Sequence, residues 1–98
     1  MTKVLTSKQR KQLKKMGHGL SPVVQVGQKG ITESLVAQVE KDLSCHELIK
    51  VRFSSEDRDE RADMEQELSQ VTHSVKLQSI GRIALLYRSS PEEKIKLG

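Results

Sequence analysis

The stretch best suited to chemistry is Gly27-Gln28-Lys29-Gly30, set between the β-branched run PVVQV (22–26) and the helix-like ITESLVAQV (31–39). Two glycines spaced this way make a tight turn at the least. They can also admit a phosphodiester to the backbone, because no Cβ stands in the way and positive φ is permitted. A loop feeding the N-terminus of a helix adds unpaired N–H groups and a partial positive charge. Lys29 adds a full charge. The chemistry on offer is capture of a phosphate backbone. A nucleotide P-loop is excluded, since no G-x-x-x-x-G-K-[ST] is present, and a dinucleotide fingerprint lacks its third glycine. KH-type loops that hold RNA backbone are built as this stretch is. A bare G-x-x-G remains compatible with a turn alone, so the rest of the chain must decide.

Charge supplies a second lead. Residues 1–32 hold seven basic side chains (Lys3, Lys8, Arg10, Lys11, Lys14, Lys15 and Lys29) and no Asp or Glu, whereas residues 54–70 hold seven acids against two arginines. With a formal net charge of +4, the 98-residue chain is electrically lopsided. Its basic end suits a polyanion, nucleic acid first. Lys50 and Arg52 share one face of an alternating strand, where spacing alone favours a plain solvent-facing pair. Arg82 and Arg88 flank the last strand with the same ambiguity.

Other chemistries find little support. His18, His46 and His73 show no helical i, i+3 or i+4 pairing, and Cys45 is the one cysteine. A metal site is therefore not expected. Cys45 and His46 are sequence neighbours, which do not face each other on a helix, so no Cys–His dyad follows; Cys45 reads as a small, partly buried residue. No acid–base pair assembles an active site, and neither catalysis nor a cofactor is expected. With no Trp, one Phe and one Tyr, aromatic platforms for stacking single-stranded bases are nearly missing. The apolar run IALLY (83–87) is too short to span a bilayer, the N-terminus lacks a signal-peptide core, and a single cysteine fits a reducing compartment. A soluble cytoplasmic protein is the expectation.

The elements that must position these residues follow from periodicity. Residues 7–16 read as a basic helix, with Thr6 or Ser7 as cap, TSKQ as a capping box, and Gly17 and Gly19 as stops. Its cations oppose the helix macrodipole, and the like-charge pairs Arg10/Lys14 and Lys11/Lys15 repel, effects that an anionic partner would offset. PVVQVG (22–27) reads as a strand. In 31–46, Ile31, Leu35, Val39 and Leu43 form the stripe of a core-facing helix. ELIKVRF (47–53) alternates as a strand, with Ile49, Val51 and Phe53 on its packed face. Residues 54–71 read as an acidic helix capped by Ser55, Asp57 or Asp59, its acids solvated. Residues 74–88 read as a hairpin around Gly81, whose second strand, IALLY, is covered on both faces. SSPEEKIKLG reads as an exposed tail. The fold class is α/β: an N-terminal helix and then β-α-β-α-β-β, giving a mixed four-stranded sheet with helices packed on it. Residues 1–90 make one domain and 91–98 its C-terminal tail.

Three blocks in order, LTSKQRKQLKKMGHGLSPVVQVGQKGITESLVAQV, HELIKVRF and SIGRIALLYR, resemble the CRM domain, the family of chloroplast RNA splicing and ribosome maturation, in its bacterial stand-alone YhbY type. The resemblance runs from about Val4 to Ser89. It implies a KH-like RNA-binding domain similar to the C-terminal domain of translation initiation factor 3, acting on precursors of the large ribosomal subunit. It places the glycine loop on Gly27, Gln28, Lys29 and Gly30, the basic helix on Lys8, Arg10, Lys11, Lys14 and Lys15, and a further block on Gly81 to Arg88. Gly17 stands where the family often has alanine, which implies a looser turn after the first helix. The reading is a monomeric, non-catalytic protein that grips structured rRNA through the loop and basic helix, with Lys50, Arg52 and Arg88 as further contacts. The alternative is a module that docks a ribosomal protein through its acidic helix.

Overall fold

Local capping decides where the helices begin. In the computed structural model, which describes residues 4–97, Thr6 Oγ1 accepts the Gln9 N–H at 3.1 Å while Gln9 Oε1 accepts the Thr6 N–H at 3.0 Å. This closes the expected capping box and starts α1 (Ser7–Gly17). Thr32 caps α2 (Glu33–His46). Asp57, one of three expected candidates, caps α3 (Arg58–Val71) by accepting from the N–H groups of Asp59 and Glu60. The strands are β1 (Pro22–Val26), β2 (Leu48–Phe53), β3 (Val75–Ile80) and β4 (Ile83–Tyr87). Lys3, counted among the basic residues, lies outside the described ones.

The strands form one mixed sheet of order β1-β2-β4-β3, with β1 parallel to β2 and the remaining pairs antiparallel. On one face Val39 and Leu43 of α2 and Leu68 of α3 bury Val24, Val26, Ile49, Val51, Phe53 and Leu86. On the other, Leu5 and Leu13 cover Leu48, Leu77, Leu85 and Tyr87, with Ile95 and Leu97 of the C-terminal segment packed beside them. The inner strand β4 is thus covered on both faces, as its composition predicts. No helix among the described residues is long and apolar enough to cross a membrane.

Four expectations need correction. Gly17 ends α1 as expected, but it is buried and the turn after it is not loose: the N–H groups of His18, Gly19 and Leu20 donate to the carbonyls of Lys15, Met16 and Gly17. A Cβ there would lie 2.7 Å from Leu85 Cδ2, so the missing side chain is what lets the helix end seat against the sheet. The tail is not free. Glu47 is fully buried at a positive φ of 66°. Its carboxylate accepts the Ser90 and Ile95 N–H groups at 2.7 and 2.8 Å and the Ser90 hydroxyl. Lys94 Nζ donates to the Cys45 carbonyl at 2.7 Å, and Gln12 Nε2 to the Lys96 carbonyl at 2.9 Å. Glu65 is not solvated: it is 2% exposed and accepts from Ser79 Oγ at 2.7 Å and Lys76 Nζ at 3.3 Å. Cys45 is exposed rather than partly buried.

Candidate nucleic-acid interface

The loop is a single tight turn. The Gly30 N–H donates to the Gly27 carbonyl at 3.1 Å, and Gly30 sits at φ 73°, a conformation that a side chain would strain. Gly27 is different. Its φ is not positive, and a Cβ built on it would meet nothing within 4 Å. The fold itself has no need of glycine at 27, and what its bare backbone offers is approach from outside. Gln28 and Lys29 are exposed at the tip. Between the loop and Thr32, Ser34 and Gln38 of the α2 start lies an open hollow of about 490 Å³. The first N–H groups of α2, which no intrahelical carbonyl can receive, border it. Thr32 Oγ1 takes one of them, that of Leu35, at 3.1 Å.

The sheet register joins the loop to the strand cations. Gln25 pairs with Arg52 and Val26 with Phe53, so the chain leaves β1 for Gly27 just beyond the Arg52 row. Gln25 borders both the loop hollow and the depression that holds Arg52. Lys50 follows on the same face of β2, beside Leu85 of β4, and shares a smaller hollow with His18 at the end of α1. Loop, Arg52, Lys50 and the α1 terminus therefore occupy one continuous surface. Lys8, Arg10, Lys11 and Lys15 are exposed on α1, and Lys14 is half-buried. The ion pairs among the described residues engage Lys76, Arg82 and Arg88. They leave Lys8, Arg10, Lys11, Lys14, Lys15, Lys29, Lys50 and Arg52 without a carboxylate partner among those residues.

Arg88 is placed elsewhere. It follows β4 at the end of the sheet away from the loop, where Leu48 pairs with Tyr87. Its guanidinium donates to Glu40 Oε2 at 2.8 Å, to the Thr72 carbonyl at 2.9 Å, to Ser44 Oγ at 3.0 Å and to the Glu40 carbonyl at 3.2 Å. The side chain is only 16% exposed. It ties the ends of α2 and α3 to β4 and has no donor turned toward the loop surface, which argues against the contact expected for it. We expect Arg88→Ala to cost about 2–3 kcal/mol, because several charge-assisted bonds are lost and the carbonyls it served stay half-buried. Thermal unfolding and RNA titration of the variant check this. Unchanged stability together with weakened RNA binding would instead make Arg88 a contact residue.

The neighbours of the loop were harder to read from sequence. Gln25 alternates with Val24 and Val26 in PVVQV, which marks it as outward-facing. Only the pairing of β1 with β2 sets it beside Arg52. His18 showed no signal at all.

The chain has clear relatives. The CRS1 / YhbY (CRM) domain family model matches residues 5–88. A Haemophilus influenzae protein named as an RNA-binding protein is 41% identical over 93 residues, covering 95% of this chain and 94% of that one. A Pseudomonas aeruginosa protein, designated a probable RNA-binding protein, is 44% identical over 88 residues, covering 90% and 85%. Among solved structures, a Staphylococcus aureus protein assigned as a candidate RNA binder superposes with a TM-score of 0.83 at 35% identity, over 97% of this chain and all of that one.

Proposed function

This chain belongs to the CRS1 / YhbY (CRM) domain family, and on that premise we propose that it is a monomeric, non-catalytic RNA-binding protein that grips the backbone of structured ribosomal RNA in large-subunit precursors. Its place of action is the cytoplasm, with ribosomal proteins as neighbours on the same particle. RNA binding follows from the family and from relatives named for it. The observation that carries the choice of surface is the run of cations without carboxylate partners among the described residues, continuous with a bare Gly27 at the positive end of α2. A polyanion relieves the repulsion along α1 and gains the α2 dipole at once. Shape and charge dominate such recognition, since phosphate contacts position a protein without reading bases. Gly27, Gln28, Lys29 and Gly30 receive the backbone, α1 extends the grip, and Lys50 and Arg52 bridge the two. The rival surface, the acids of α3, loses Glu65, which is turned inward to Lys76 and Ser79.

Salt titration tests this reading. Purified protein should bind large-subunit precursor or ribosomal RNA with an affinity that falls linearly in log–log form as salt rises. Lys29→Ala should weaken binding and lower that slope by about one ion. A slope and affinity equal to those of the parent would remove Lys29 from the interface.

A further inference from the structure

The face that carries Lys50 and Arg52 holds a feature that backbone gripping leaves unused. Beside the α1 terminus, a hollow of about 170 Å³ opens between His18, Lys50, Gln78, Ile80, Ile83 and Leu85. Its walls are mixed in a particular way. Leu85 forms a buried floor against the bare backbone of Gly17, and Ile83 lies half-buried beside it. Ile80 stands 66% exposed at the rim, although it belongs to a sheet strand and has apolar neighbours within reach. Gln78 pairs with Leu85 across the β3–β4 ladder and contributes an amide. Lys50 and His18 supply nitrogen donors on the other side.

Size restricts the occupant. At about 30 Å³ per water in the liquid, the hollow holds the equivalent of roughly six waters. That is well under the roughly 300 Å³ at which drug-sized pockets begin, and it is room for one flat heterocycle. Polarity restricts it further: apolar walls for the faces of a ring, an amide for its edge, and the Lys50 ammonium for an attached phosphate. These are the needs of an unstacked base. We propose that this hollow receives a single unpaired nucleobase from the RNA whose backbone lies on Arg52 and the glycine loop. The proposal rests on the RNA-binding reading above. It deepens that reading by naming the RNA as a duplex interrupted by a bulged or looped-out nucleotide. Aliphatic walls replace the aromatic platforms that the chain lacks, and Gln78 reads the edge of the base.

The test compares a fully paired RNA hairpin with the same hairpin carrying one bulged 2-aminopurine. The parent should bind the bulged RNA about tenfold more tightly, within the range that one amide–base contact provides, and 2-aminopurine emission should change on binding. Ile80→Lys fills the rim while adding a charge at an exposed position. It should keep or raise affinity for the paired hairpin and abolish both the preference and the emission change. Gln78→Ala should cut the preference several-fold and leave binding to the paired hairpin unaltered. If the parent binds both hairpins equally well, or if the preference survives Ile80→Lys, the base pocket is wrong while the backbone grip stands. If the parent binds neither hairpin, both fall together.

Discussion

Changing Gln28 and Lys29 together to Asp, with both glycines kept, should lower RNA affinity by at least a hundredfold at moderate salt and leave the fold intact. The pair shifts the loop charge by three units, from a site that attracts phosphate to one that repels it. At contact distance each unit is worth about 1 kcal/mol even at the dielectric of bulk water, so the sum reaches about 3 kcal/mol. The fold should not register the change. Both side chains are exposed, the turn is closed by the backbone bond from the Gly30 N–H to the Gly27 carbonyl, and the positive φ at Gly30 is preserved. Circular dichroism and melting temperature should match the parent while filter binding or anisotropy records the loss. A folded variant that binds as the parent does would reduce the loop to a turn and leave recognition to α1.

The second large effect concerns stability. Glu47→Ala should lower it by about 3 kcal/mol, since a fully buried carboxylate with two N–H donors and one hydroxyl donor disappears. For a domain of this size that is a fall of more than about 10 °C in Tm. The tail should detach, because Ser90 and Ile95 are anchored through that carboxylate. Burial pushes the Glu47 carboxyl up. The Ser90 hydroxyl, the backbone N–H groups of Ile95 and Ser90 and, least, the nearby Lys94 backbone more than offset this, and hold it below its ordinary value of 4.5. The carboxylate form is thus favoured by folding. Its stabilisation is present above 4.5 and is lost as pH falls through the lower, folded-state value. Glu47→Gln keeps the shape but not the charge. Compared with the parent it should melt lower at neutral pH, and the gap should close on acidification. A gap that stays constant with pH would show that the charge of Glu47 contributes nothing.

What can be read without the fold is whatever short-range physics decides. Thr6 with Gln9, and Asp57 with Asp59 and Glu60, lie within three residues of each other, so their caps are visible in the letters. The stripe Leu35, Val39, Leu43 and the alternation of Ile49, Val51 and Phe53 state a period, and a period states an element and its inner face. The GQKG junction between strand and helix is legible for the same reason. By itself, then, the sequence determined the elements, their order, the inward faces and the position of the loop.

The tertiary structure alone decided which cations are available. Lys50, Arg52 and Arg88 look alike in sequence. Arg88 meets partners 16, 44 and 48 residues away and is committed to them, whereas Lys50 and Arg52 meet no carboxylate among the described residues. Glu65 reads as a solvated acid and Glu47 only as the first letter of a strand, yet Ser90, Ile95, Lys76 and Ser79 arrive from 11 to 48 residues downstream to take the two carboxylates inside. Gly17 reads as a helix stop and nothing more, because nothing local announces its seat against Leu85. Strand order, too, depends on pairings that no local pattern encodes, and with it the neighbourhood of Gln25 and Arg52. A polar side chain takes its role from the groups that desolvate it and bond to it. Those groups are gathered only when the chain has closed on itself.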